Sequence, residues 1–418
     1  MSNDVRPESR LDRVKVEIVS GGTQAEETPQ ATRTTMIVGV LAWVALFVVL
    51  AFYSLWFVVF ILGLAVSIML HELGHFWTAR RSGMRATQFF LGFGPRVWSI
   101  HRNGVEYGVR AIPLGGFVKI IGMTNIDEVA EADEPFTYRQ ASYPKRMWVI
   151  TAGSVMHMII AIGLIVAVYT ISGRVEEVGV VRLANVSENT PADAAGLQVD
   201  DIITTVNGEP ATRASEWRDQ LAATPPGESM TIGVLRDGVA LTVTATLIQN
   251  PTVEETRGYL GVSPYSNDRV DQSLGEAIVK GPSDLVTGVG QAITGVARVI
   301  NPVNVFGHLV GTNDDPTSKP GTIVGATKIS DDIGDYDGWA GILMLLAGVN
   351  VSVGVFNMFP LMPLDGGHAA IATYERIRSR RGKRYYADVN KLMPVAALCI
   401  ALLVFMFLTG LYLDIAKS

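Results

Sequence analysis

Cysteine is almost absent from this 418-residue chain, and the single one, Cys399, lies in an apolar stretch. One thiol excludes an intrachain disulfide and any thiolate cluster, so a bound metal would have to be held by His, Asp or Glu. Basic charge is in deficit too: 34 Lys and Arg stand against 40 Asp and Glu, a formal net charge of −6. That balance offers no basic face for nucleic acid, and nucleic-acid binding is set aside. The third absence is local. From Met36 to Leu70 there is not one Asp, Glu, Lys, Arg or His, a run suited to the membrane interior. No short apolar core with a small-residue cleavage site follows a basic start, so no cleavable signal peptide is expected.

What the chain does have is 48% hydrophobic residues, a composition that fits several spans with soluble parts attached. Four apolar regions are long enough to cross a bilayer: Met36 to about Ala79, Met147–Ile171, Trp339–Leu364 and Leu392–Leu413. The first is long enough for two crossings joined near Tyr53-Ser54-Leu55-Trp56, the alternative being one overlong helix. Lys and Arg near the span ends set the orientation. Arg80, Arg81 and Arg85, then Lys145 and Arg146, then the cluster from Arg376 to Arg384 mark cytoplasmic loops. The stretch from about Ser172 to Gly338 then lies outside, and the protein is expected in the plasma membrane. Residues 1–35 are polar and expected to be disordered.

Directly after the uncharged run stands His71-Glu72-Leu73-Gly74-His75. On a helix the four-residue spacing brings both imidazoles to nearly one face, where they can hold Zn²⁺ and leave Glu72 to activate a water. Ionisable groups at membrane depth cost at least roughly 2.5 kcal/mol each, so three within five residues point to ligation or catalysis. The bland alternative is a chance HExxH on an ordinary amphipathic helix, which the apolar flank argues against. A catalytic zinc generally needs a third protein ligand. The run Asn357-Met358-Phe359-Pro360-Leu361-Met362-Pro363-Leu364-Asp365-Gly366-Gly367-His368 offers one at the same depth, at the cytoplasmic end of a helix that two prolines must interrupt. Asp365 is the candidate third ligand, an interfacial helix cap being its competing role. Asn357 supplies an amide donor and acceptor beside it.

Together, HELGH, the N-x-x-P-x-x-P-L-D-G-G run and the domain between them resemble the site-2 protease family, in particular its bacterial RseP-type members of actinobacterial kind. Further matching segments are Arg80–Met84, Phe90–Pro95 and Tyr107–Lys119. The resemblance implies intramembrane cleavage of substrates that cross the membrane once. Zinc would be held by His71, His75 and Asp365 near the cytoplasmic side, Glu72 would be the general base, and Asn357 would bind substrate. It suggests anti-sigma factors trimmed beforehand by a site-1 protease, or remnant signal peptides, in regulated intramembrane proteolysis. One departure stands out. The family's second core helix usually opens A-G-P-x-x-N, whereas this chain reads Ala152-Gly153-Ser154-Val155-Met156-His157. His157 could partner a ligand, relay protons or be a satisfied core histidine, the last being the default.

Val105–Ile121, with Gly104, Gly108, Gly115 and Gly116, reads as a hairpin after the catalytic helix, whose exposed edge could pair with an extended substrate. Between Val175 and Leu247, Thr190–Gly208 resembles a PDZ domain: a short helix starting at Pro191, Gly196 at its end, a strand over Asp201–Val206 and an Asn-Gly turn. Residues 273–300 suit an amphipathic surface helix.

The expected fold is thus a polytopic α-helical membrane protein of four to five transmembrane helices, with a membrane-associated β-hairpin and an inserted extracytoplasmic PDZ-like β-rich domain. Its expected divisions are a tail (1–35), a membrane core with HExxH (36–171), a PDZ domain (175–247), a connector (248–338) and a second membrane core (339–413). The expected partners are single-pass membrane proteins and the lipid bilayer. The competing readings are another HExxH membrane peptidase, for which a Glu third ligand is expected, and a catalytically inert PDZ scaffold.

Overall fold

The structure, a computed structural model, describes residues 33–123, 127–249, 258–313, 315–379 and 384–416. The tail expected to be disordered lies outside them except for 33–35, as do Arg380, Arg381 and Lys383. Two compact units emerge. One takes the chain up to Ala167 and again from Ala277; the other is Val168–Glu276.

In the first unit the long apolar run is broken at Ser54 into α1 (Arg33–Tyr53) and α2 (Leu55–Arg81). Ser54 is extended and its hydroxyl accepts from the Phe57 N–H at 2.9 Å, a cap that starts α2 without Gly or Pro. α3 (Tyr143–Ser172) and α8 (Ile323–Asn357) pack beside α2, and α10 (Met393–Ala416) closes the set. Among the described residues, four helices are long and apolar enough to cross a membrane, and Ile37–Tyr53 forms a shorter apolar one. The contact between α2 and α8 is a buried cluster of Phe57, Phe60, Ile342 and Leu346, held between two apolar helices by close van der Waals packing. Above it, Ser54 bonds Asp331, and Trp56 Nε1 donates to Asp335 at 3.1 Å.

α8 is helical from Ile323, earlier than the span expected from Trp339. Its break is at Gly338, whose φ of 59° and ψ of −140° suit glycine alone. Asp331, Asp332, Asp335 and Asp337, which precede that break, sit on helical turns, where an apolar run does not reach. The start of α8 is capped from outside, since Asp414 on α10 accepts from Gly325 N–H (3.1 Å) and the Thr322 hydroxyl (2.5 Å).

Between α2 and α3 lie β1 (Ala86–Arg102) and β2 (Val105–Ile120). The hairpin is therefore larger than Val105–Ile121, which supplies only its second strand. Asn103-Gly104, with φ of 51° and 75°, makes the turn. Both strands fold over: Gln88–Leu91 pairs on one side with Gly116–Lys119 and on the other with Glu106–Val109, which in turn meets Trp98–His101. A second cluster, including Phe76, Ala79, Val118, Val149, Ile150 and Ala372, fastens this sheet under the end of α2.

The second unit contains a sheet in the order β10-β3-β4-β6-β7, with β5 (Glu209–Pro210) beside β4. These strands are β3 (Arg174–Val186), β4 (Ile202–Val206), β6 (Ser229–Arg236), β7 (Val239–Thr246) and β10 (Val262–Val270), while β8 (Ile248–Gln249) and β9 (Gly258–Tyr259) pair separately. Helices α4 (Pro191–Ala194) and α5 (Ala214–Ala223) complete it around buried Trp217, Met230, Ile232 and Leu183. The sheet thus reaches past residue 247 into the stretch read as connector. Pairing of β10 with β3, from Val262↔Val186 to Val270↔Arg174, joins segments about 90 residues apart, a relation no local pattern reveals.

Asp201 is buried and receives both prongs of Arg236, each at 2.7 Å. Burial works against its charge, but the Arg236 fork and the Gln198 N–H outweigh it and hold the carboxyl below its ordinary value of 3.8. A depressed folded-state pKa stabilises the fold above the unfolded value and is lost as pH falls through the folded one. Arg236→Met should therefore speed amide hydrogen exchange in Ile202–Val206 at pH 5 and above, with the gap to wild type closing below pH 3.8. A gap that stays constant to low pH would remove the ion pair as the cause.

Candidate metal centre

His71 and His75 are buried on α2, one turn apart, their ring centroids 4.7 Å from each other. The third member comes from the far side of a loop. α8 ends at Asn357, Met358–Leu364 turns with Pro360 and Pro363, and α9 (Asp365–Arg378) begins at Asp365. Asp365 therefore opens a new helix after a loop instead of ending an interrupted one, because the prolines stop α8 completely. Gly366 and Gly367 permit this turn: a Cβ on Gly367 would lie 2.9 Å from the Leu361 carbonyl, and one on Gly366 would strike the carbonyls of Met358 and Phe359.

The three donor atoms converge. Nε2 of His71 and Nε2 of His75 are 3.1 Å apart, and Asp365 Oδ2 lies 3.5 and 3.3 Å from them. A tetrahedral zinc with bonds of about 2.0–2.1 Å requires donors about 3.3–3.4 Å apart, so this set fits the ion. Hydrogen bonding supports the fit. His75 Nδ1 donates to the Val149 carbonyl at 2.8 Å, which leaves the Nε2 lone pair for a metal. Among the described residues Asp365 Oδ2 is buried and faces only the two histidine ring nitrogens, the condition a cation relieves. A backbone lies directly against the rings: a Cβ on Gly153 of α3 would stand 2.6 Å from His71 Nδ1, and one on Gly74 would be 2.8 Å from the Ala152 carbonyl. These two glycines let α2 and α3 meet at the two histidines.

Glu72 turns towards β2. A Cβ on Gly116 would sit 3.2 Å from its Cγ, and the Val118 N–H donates to its carboxylate. Asn357 is the half-buried last residue of α8, eight residues before Asp365 and not among the convergent donors.

The sequence pattern assigned no role to the Val149 carbonyl, to Gly74 and Gly153, or to a clamp on α9. In the clamp, Arg146 at the start of α3 bonds buried Glu375 at 2.6 Å, and Glu375 also accepts from the Ala387 N–H. Only the glycines left a sequence signal, as small residues where an apolar helix would favour larger ones. Removing one partner of a buried pair costs about 3–5 kcal/mol. Glu375→Leu should lower the thermal midpoint and the zinc content together, because α9 carries Asp365. Arg146→Met added to it should recover most of the stability; no recovery would mean that the residues matter for shape and not as a pair.

Residues 59–403 match the model of peptidase family M50. The chain is 33% identical over 392 residues to the zinc metalloprotease Rip1 of Mycobacterium tuberculosis, covering 84% of this chain and 95% of that protein. Rip1 of Mycolicibacterium smegmatis is 32% identical over 397 residues, covering 85% and 96%. Among solved structures, the PDZ domain of an SdrC-like protein from Listeria monocytogenes is 19% identical and covers 21% of this chain and 87% of its own, with a TM-score of 0.19. Long apolar helices and a metallopeptidase donor set define the class, a multi-pass membrane protein with a β-rich unit. The chain belongs to peptidase family M50, the site-2 proteases, as a zinc metalloprotease with Zn²⁺ as its cofactor.

Proposed function

We propose that the chain is an intramembrane protease that cuts single-span membrane proteins, of the anti-sigma factor type or remnant signal peptides, in regulated intramembrane proteolysis downstream of a site-1 protease. The observation that carries this reading is that two of the three convergent donors stand on Leu55–Arg81, itself long and apolar enough to cross the bilayer. His71, His75 and Asp365 would hold the zinc. When bound, zinc supplies Lewis acidity to the scissile carbonyl and to water. Glu72 takes a proton from the attacking water and returns it to the leaving amine.

A substrate helix hides its peptide bonds in its own hydrogen bonds and has to be extended before it is cut. Two features of the chain suit that task. The segment Gly116–Lys119 runs beside Glu72 and pairs with β1, so an extended substrate can add to this membrane-associated sheet as a further strand. Asn357 offers an amide that both donates and accepts, and is assigned to hold the unwound backbone. The bonds of Ser54 and Trp56 to Asp331 and Asp335 bring the start of α2 level with the Asp331–Asp335 stretch of α8, in keeping with a metal site near the cytoplasmic end marked by Arg80 and Arg81. α1 would be a fifth crossing. The β-rich unit would be an extracytoplasmic PDZ domain that screens substrates or delivers them.

Quantitative membrane proteomics of wild type against a Glu72→Ala strain tests the proposal. Single-span fragments lacking their outer domains should accumulate in the mutant and be cut by purified wild type. If nothing membrane-bound accumulates and the purified enzyme prefers soluble peptides, the reading fails.

A further inference from the structure

We propose that His157 is a positioning residue for the metal centre, bracing the His71 ring by packing against it while a chain of hydrogen bonds across three helices fixes His157 itself. The inference rests on the reading of His71, His75 and Asp365 as zinc ligands.

Every hydrogen in the chain has an assignable direction. Ser67 on α2 donates its hydroxyl to the Gly63 carbonyl at 2.9 Å. Asn350 on α8 donates from Nδ2 to Ser67 Oγ at 3.0 Å and to the Leu346 carbonyl at 2.8 Å, which fixes its amide. Asn350 Oδ1 must then accept, and it takes the hydrogen on His157 Nδ1 at 2.8 Å. His157 on α3 brings the chain back to α2: its ring centroid lies 4.8 Å from that of His71, inclined at 42°. Ser67 is four residues before His71, one helical turn away on the same face. The path therefore leaves α2 one turn before a ligand and returns onto that ligand's ring.

His157 meets groups on two other helices, the Asn350 amide by a hydrogen bond and the His71 ring by packing. Ser67, His157 and Asn350 are all at most 3% exposed, so each bond is formed away from water, where a partner lost is not replaced. The helices meet closely here, since a Cβ added to Gly354 on α8 would lie 3.0 Å from His157 Cβ. His75 is oriented by its own bond to Val149, while His71 packs against His157. The pair of ligands is thereby steadied by two different devices, both on α3.

The test uses the full chain in detergent, with zinc affinity read by competition against a chromophoric chelator and the visible spectrum of the Co²⁺-loaded protein. His157→Phe keeps a ring and deletes the N–H; Asn350→Leu deletes the acceptor. Each should weaken zinc binding about 10–100-fold and shift the Co²⁺ bands. The double variant should be no worse than the poorer single one, because both break one chain. Unchanged affinity and spectrum in either variant, or losses that add, would overturn the proposal and leave His157 a packing residue. If the larger changes prevent folding, Ser67→Ala removes one oxygen and should still shift the Co²⁺ bands; an unshifted spectrum counts against the proposal. Asp365→Ala separates the two layers of argument. Loss of zinc there with no effect at His157 defeats this inference alone, whereas full zinc content in Asp365→Ala defeats the ligand reading beneath it.

Discussion

Glu72→Gln should retain zinc and lose cleavage, with turnover falling about 10²–10⁴-fold, the range set by a general base. The two effects separate because of where the side chain points. Glu72 lies between the two histidines in sequence, but its carboxylate faces β2, where the Val118 N–H donates to it. A glutamine is the same size, and its carbonyl can accept the same bond, so the surroundings have no reason to move. What it lacks is the ability to take and return a proton. His71→Ala, His75→Ala and Asp365→Ala should instead release zinc and activity together, since each removes a donor from a set spaced 3.1–3.5 Å. Metal content by mass spectrometry and cleavage of a reconstituted single-span peptide measure both quantities on one sample. Zinc lost from Glu72→Gln would make Glu72 a ligand, and near-normal turnover would put the base elsewhere.

The roles just argued differ in how far the sequence alone could carry them. HELGH was legible because charge in an uncharged run is costly and the four-residue helical period is fixed. Asp365 was legible as a carboxylate at matching depth, yet its place at the start of α9 depends on Gly366 and Gly367 lying against carbonyls of the preceding loop, and spacing does not encode that contact. Strand β2 showed its glycines, but the turn belonged to Asn103-Gly104, a signal of two residues at the edge of the segment considered. The β-rich unit declared its centre, Thr190–Gly208, and concealed its edge, because β10 finds β3 only through folding. His157 is the extreme case. Its meaning is held by Asn350, 193 residues away, so the local sequence could offer only an imidazole in an apolar helix.

Gly153→Ala should be as damaging to the metal centre as loss of a ligand, although it removes no atom. The added methyl would overlap His71 Cε1 and His75 Nε2 and stand 2.6 Å from His71 Nδ1, closer than real Cβ contacts come. Either α3 retreats from α2 or the rings turn away. Retreat is resisted at both flanks, by the His75 bond to the Val149 carbonyl and by Gly74 seated against the Ala152 carbonyl. The rings are the softer element, so the donor set should open and zinc affinity fall about 100-fold or more, the upper end of what a disturbed ligand environment costs. The helix should survive, since alanine favours it over glycine by about 0.5–1 kcal/mol. Gly163→Ala on the same helix is the matched control: no atom of the described residues lies within 4 Å of its added methyl, and it should keep zinc and activity with equal or slightly higher thermal stability. Zinc content and the Co²⁺ spectrum of the two variants, purified in parallel, decide the matter. A Gly153→Ala protein that loads zinc as fully as Gly163→Ala would mean that α3 stands further from the ligands than the geometry requires, and that the closeness of the two helices is not what shapes the site.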